Sequence, residues 1–251
     1  MTSSPTARLE RLALVGRLWP WLFLAGLVVF FEAWSQVRIG RSFVGSLYNV
    51  LYDTTDVTHV FANFDAAPFG GVGVGYMFNN YFRVDFTGEY RGAAAFHGLD
   101  TYPFDDGGTQ VTRVDEYEGS KSEWTFLGNV YVDIAHFHGF VPFLGAGIGA
   151  SLNTISNFTD TDPTSGNTFG PSFATGATAS TWNFAWAVYA GLGYQVNEKL
   201  TLEAAYRYIS LGNAVTGDLI AYDGTNTIVN PMHFNNLTSN DFKLGFRYSL
   251  N

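Results

Sequence analysis

The chain has 251 residues, of which 14% are charged and 17% aromatic; an ordinary soluble domain carries about a quarter charged residues, so something other than a charged surface must meet its solvent. Mean hydropathy is +0.05, too low for a bundle of membrane helices. There is no cysteine, which excludes disulfides, thiolate metal sites and cysteine catalysis. A formal charge of -9 argues against nucleic acid as a partner, because that binding neutralises phosphates with Lys and Arg. A membrane β-barrel fits these numbers, since only alternate residues of its strands face lipid.

At the N-terminus Arg8, Arg11 and Arg17 accompany an apolar run from Leu18 to Phe31, broken only by Pro20 and Gly26. Ala33 and Ser35 then occupy small-residue positions, which predicts a signal peptide over 1–35, cut after Ser35, and a barrel domain over 36–251. The competing reading is a retained helix from Leu12 to Phe31, roughly long enough to span a bilayer. A first strand is expected over 36–44, with Val37, Ile39 and Phe43 toward lipid and Arg41 left on that same face.

Strict alternation dominates the rest, the mark of strands with two different environments on their faces. Gly71, Gly73 and Gly75 oppose Val72, Val74 and Tyr76. From Phe82 to Arg91, Phe82, Val84, Phe86 and Tyr90 oppose Arg83, Asp85, Thr87, Glu89 and Arg91. Further strands are expected over Trp124–His136, over Val141–Gly149 with Gly145, Gly147 and Gly149 on one face, and over Trp182–Val196, Leu200–Tyr208 and Phe242–Leu250. Glycines on the inner face relieve crowding in a narrow barrel. Asn79-Asn80, Phe137–Gly139 and Asn197-Glu198 read as tight turns, and 45–68, 93–121, 153–180 and 212–239 as long loops. The expected fold is all-β: an eight-stranded antiparallel transmembrane β-barrel with short periplasmic turns and long extracellular loops.

One face collects Arg83, Asp85, Glu89, Arg91, Asp133, Glu203, Arg207, Lys243 and Arg247, a mixed-charge set expected to form a paired network that plugs the lumen or gates a narrow conductance. The other face presents Phe82, Phe86, Trp182, Phe184, Trp186, Tyr194, Tyr206, Phe246 and Tyr248 to lipid. His97 and His233 fall in external loops, His136 and His138 at the opposite end, and no spacing pairs them with a nucleophile. Asp105, Asp106, Asp115 and Glu116 lack the spacing of a dedicated Ca²⁺ loop. The glycine runs 70–75 and 145–149 alternate within strands, the wrong context for a phosphate loop. No cofactor, metal or catalytic residue is expected.

The stretches Tyr81–Arg91, Val141–Gly149, Trp182–Trp186 and Ala205–Tyr208 resemble the small outer-membrane barrels of alphaproteobacteria, a group similar to the opacity porins and the transmembrane half of OmpA. The resemblance implies an outer-membrane location, with lipid and lipopolysaccharide around the wall, an unknown partner at the surface, and a structural or surface role with weak passage of small solutes. A small gated porin and a lipid A-modifying enzyme using His97 or His233 are the alternatives.

Overall fold

The computed structural model describes residues 23–28, 35–36, 57–163, 172–224, 226 and 229–250. Every element is a strand: β1 Phe23–Val28, β2 Ser35–Gln36, β3 Thr58–Phe64, β4 Phe69–Met77, β5 Phe82–Asp106, β6 Thr109–Asp133, β7 Phe140–Asp162, β8 Ser172–Gly176, β9 Ala179–Gln195, β10 Leu200–Val215, β11 Leu219–Ala221 and β12 His233–Ser249. All pairings are antiparallel, and the main wall runs β4-β5-β6-β7-β9-β10-β12. β1 hydrogen-bonds to β12 along one side and to β4 along the other. It therefore occupies the seam position expected of 36–44. Within that expected strand only Gln36 is described, and it pairs with β3. The remainder, most of 1–35 and the loop residues 45–56 lie outside the described residues.

The wall alternates as a membrane barrel must. Phe82, Phe86, Tyr90, Trp124, Trp182, Phe184, Trp186 and Phe242 are exposed, while Arg83, Glu89, Arg91, Glu123 and Arg207 between or opposite them are buried. Two aromatic bands bound this apolar zone. One gathers Tyr76, Phe78 and Phe82 with Phe137, Phe140 and Tyr194; the other links Tyr90 to Trp124 at 4.8 Å between ring centroids, Phe126 to Trp182 at 6.2 Å and Trp186 to Tyr208 at 5.6 Å. The nine residues from Phe82 to Tyr90 correspond to roughly 30 Å of strand, the run that a tilted strand needs to cross the apolar layer.

The turns at the first band differ from one another. His138 and Gly139 take φ of 50° and 85°, and Phe137 and Phe140 exchange both backbone hydrogen bonds across this two-residue turn. Asn79-Asn80 is not such a turn: β4 and β5 are joined over 78–81, and Asn79 Oδ1 accepts from the backbone N–H of Tyr81 and of Phe82. Asn197 repeats the device, accepting from Lys199 and Leu200. The asparagine side chain stands in for a backbone acceptor, so no positive φ is needed there.

Beyond the second band the chain departs from expectation. Strand structure continues into all four segments read as loops; 93–121 is a hairpin turned by Gly107 and Gly108 at φ 63° and 95°. Four strands carry an extra residue near the crossing from wall to extension, whereas β6 runs through in one parity. On β5 an extra residue separates Arg91 from Ala94; on β7 it falls at Asn157 (φ 52°), on β10 at Gly212 (φ 76°) and on β12 at Asn236 (φ 56°). A bulge shifts the inward parity by one residue. Inward odd-numbered residues up to Arg91 on β5 thus give way to Ala94, Phe96, Asp100 and Tyr102, and Asn153 and Ile155 on β7 to Phe158 and Asp162. Asparagines stitch the bulges together: Asn153 and Asn183 both donate to the carbonyl of Asn213, whose Oδ1 accepts from the Asn236 N–H.

Candidate functional site

The interior has two storeys. In the membrane zone Arg207, 1% exposed, donates to Glu89 Oε2 at 2.6 Å and to Asp241 Oδ2 at 2.6 Å. Arg91 reaches Asp241 Oδ1 at 2.8 Å and Glu123 Oε1 at 2.9 Å; Lys121 also pairs with Glu123, and Lys243 reaches Glu89 Oε1 at 2.6 Å. Ser239 adds a hydrogen bond to Asp241. Nearer the Asn79 end a second group forms, with Arg83 on Asp133 at 3.2 Å and on Glu203 at 3.3 Å, and Arg247 on Glu203 at 3.0 Å. Asp85 accepts from Asn129 Nδ2 at 2.7 Å, and Asn129 Oδ1 accepts in turn from Tyr189.

All nine charged residues selected from the sequence belong to these groups. Three partners were missed: Lys121, Glu123 and Asp241. They lie just past the points where the strand readings stopped, at Trp124 and Phe242. With them the membrane-zone interior holds, among the described residues, six cations (Arg83, Arg91, Lys121, Arg207, Lys243, Arg247) against six carboxylates (Asp85, Glu89, Glu123, Asp133, Glu203, Asp241). Balanced charge, with most members in ion pairs, is the condition under which buried ions are tolerated, because each is recompensed for lost water.

Packing reinforces the network. Inner-face glycines give facing side chains their room: a Cβ on Gly71 would meet Glu89 Cγ at 2.5 Å, and one on Gly147 would fall onto Asn129 Oδ1. The guanidinium of Arg207 lies 4.9 Å and that of Arg91 4.6 Å from the Phe69 ring, and Arg83 stacks on Tyr131 and Phe143. Among the described residues a 60 Å³ chamber touches Asp85, Glu89, Glu203 and Lys243, room for a few waters, and a 20 Å³ one lies beside Arg83 and Arg247. A 560 Å³ vestibule opens at the turn end, against Asn79, Lys199 and Arg247.

The base of the upper storey is apolar. Phe96 meets Phe234 edge-on at 4.9 Å, with Phe64 4.9 Å from Phe96 and Phe158 6.2 Å from Phe234. Ile155, Ile209, Leu211 and Leu237 fill the space around these rings, each 1% exposed or less. Asn153 and Ser151 satisfy the Leu211 carbonyl at its base. This cap adjoins the network, with the Lys121 ammonium 5.8 Å from the Phe64 ring.

All nine aromatics assigned to lipid are exposed on the outer wall, Trp182 at 61% and Phe184 at 66%. His97 stands 3.8 Å from Asp65, both exposed; His136 Nε2 donates to the Asn80 carbonyl, 2.6 Å away. Among the described residues no group of three or more His, Asp and Glu side chains is disposed to hold a metal ion.

The sequence of the chain matches the family model of the outer membrane protein β-barrel domain over residues 22–249. The chain belongs to that family. As an outer-membrane β-barrel domain it is located in the bacterial outer membrane, so the aromatic bands lie at the two lipid interfaces and the Asn79, His138 and Asn197 turns share one end. An uncharacterized protein of Brucella suis biovar 1 is 33% identical over 159 residues, which are 61% of this chain and 54% of the relative; the chain thus spans about half the length of that protein. The outer membrane protein PagN of Salmonella typhimurium is 29% identical over 194 residues, 72% of each chain. A candidate adhesin of Rickettsia bellii is 27% identical over 188 residues, 72% of this chain and 74% of its own length. This β-barrel family therefore includes proteins named for surface contact.

Proposed function

We propose that the chain is a closed barrel of eight antiparallel strands with a plugged lumen, non-enzymatic, whose work is contact at the cell surface. The observation that carries this reading is the apolar cap: Phe64, Phe96, Phe158 and Phe234 seal the lumen above a charge-balanced network, so ions entering the turn-end vestibule meet a blind end. The tall strand extensions add a large surface outside the membrane. The name of the Rickettsia relative favours the same role. Within the family we place the chain beside the opacity-type barrels and the OmpA membrane half, on the Val141–Gly149 and Trp182–Trp186 stretches. Lipid and lipopolysaccharide surround its wall, and nucleic acid is no partner.

The test is electrical and cellular. Refolded barrel in planar bilayers should stay silent at all voltages, as should Glu203→Gln; reproducible openings altered by that substitution overturn the plug in favour of a gated porin. Cells displaying a barrel whose 99–116 tip is replaced by a two-residue turn should lose attachment that the parent confers. Unchanged attachment would remove the surface role. The lipid A-modifying reading has little support, since the exposed His97–Asp65 pair carries no nucleophile in hydrogen-bond reach among the described residues; lipid A of altered mass in cells making the protein would revive it.

The seam between β4 and β12 takes one strand. Phe23–Val28 fills it in the full chain. Once 1–35 is removed, 36–44 must take that place. N-terminal sequencing of the membrane-inserted protein decides: a start at Gln36 supports export by a cleaved signal, and a start before Phe23 assigns the seam to Phe23–Val28.

A further inference from the structure

Above the cap, outside the membrane zone, four aspartates meet. Asp100 on β5 stands directly opposite Asp115 on β6, and Tyr117 directly opposite Asp160 on β7, with Asp162 two residues beyond. Like charges directly opposite one another across a ladder are destabilising. Asp100, Asp115 and Asp162 are between 2% and 4% exposed. Tyr117, 2% exposed, turns its hydroxyl toward Asp100 and Asp115 and lies in the field of Asp160 as well.

Little positive charge faces this group. From β6, Arg113 reaches Asp162 at 3.3 Å; from β5, Tyr102 donates to the same oxygen. From β3, the partly exposed His59 sits 2.8 Å from Asp100. β8, on the far edge of β7, contributes Ser172–Gly176 and no titratable side chain. Asp115 and Asp160 have no cation within ion-pair distance among the described residues. The carboxylates do not converge as metal ligands either. Carboxyls withdrawn from water with neither cation nor metal, as Asp115 is fully and the half-buried Asp160 in part, are neutralised by protons.

We propose that this group is a proton-operated latch: Asp115 and Asp160, while protonated, hold the β5–β6 hairpin against the top of β7, and ionisation releases the extension. The latch goes beyond the surface-contact role and would regulate it, since release alters the face a partner meets. Burial, then the neighbouring carboxylates, push Asp115 up to about 9 and Asp160 up to about 7. Burial raises Asp100 as well, against its His59 hydrogen bond. In an unfolded chain aspartate ionises near pH 4, so the folded form binds these protons more tightly. The stabilisation is complete below about pH 4 and is lost as pH rises through about 7 and then about 9.

Amide exchange of the full protein, refolded in lipid vesicles, tests this. Between about pH 5 and about pH 9, with intrinsic rates corrected, protection of 95–118 and 155–162 should fall at least about tenfold while that of 125–132 and 184–192 holds. Asp115→Asn, which is permanently neutral, should keep more of the extension's protection at the alkaline end, leaving only the step at about pH 7 that Asp160 carries, and Glu116→Gln, on the exposed face of the same strand, should respond as the parent does. Protection independent of pH in the parent, or an unchanged response in Asp115→Asn, overturns the latch. Alkaline protection restored by added Ca²⁺ overturns it in favour of a cation site. The plug reading is judged by conductance and survives or fails separately.

Discussion

The wall and the extension are built from the same strands and obey opposite rules. Between the aromatic bands β5 turns Phe82, Phe86 and Tyr90 outward and Arg83, Glu89 and Arg91 inward; past its bulge it turns His97 outward and Phe96 inward. In lipid the apolar face must be outside, and in water it must be inside. One strand can serve both solvents only if its inward set changes chemistry where the membrane ends. The bulges do more than bend the chain. They let Arg91 and Phe96, an odd number of residues apart, both point inward.

The comparison is broken most severely from the wall side. Arg207→Leu strips the central cation from Glu89 and Asp241 and should cost about 3–5 kcal/mol, seen as unfolding at lower urea in lipid vesicles for wall and extension together. Phe234→Ala, in the cap, should cost about 3 kcal/mol or somewhat more, but confined to the extension: faster proteolysis beyond Trp124, with the heat-resistant gel mobility of the folded wall retained. If Phe234→Ala unfolded the wall as well, the two storeys would be one cooperative unit. Asn236→Ala tests the junction itself, and at φ 56° it should cost about 1–2 kcal/mol, whereas Asn236→Gly should cost only a few tenths. Equal effects of Ala and Gly would mean that backbone conformation at the bulge does not matter.

The same inversion explains what could be read from the sequence. Alternation over Phe82–Arg91 and Phe242–Leu250 is unbroken, so the wall and nine of its charged inner residues were legible. The reading stopped at Arg91 because the bulge that follows shifts the period by one residue; at Trp124, Tyr208 and Phe242 it stopped short of any bulge, where polar residues (Ser122, Ser210, Asn240) take the outer positions and the apolar alternation ends. An alternating template run across Gly92-Ala93 or Asn157 sees noise. Lys121, Glu123 and Asp241 were lost with the strand ends they sit on. The signals that could have recovered the extension are Gly107-Gly108, a turn midway through a supposed loop, and alternation resuming in opposite phase at Ala94, Phe96, Gly98 and Asp100. The pairing of acids by register, Asp100 with Asp115, follows from that turn alone, because a hairpin centred on 107–108 sets residues summing to the same total opposite each other.

The β5–β6 hairpin also has a height. From Tyr90 at the outer band to Asp106 at the tip are sixteen steps of strand, roughly 50 Å of chain along its own axis. Even tilted, that is a mast taller than the bilayer's apolar layer is thick. A large molecule approaching from that side meets Asp105, Asp106 and the twin glycines before any part of the wall.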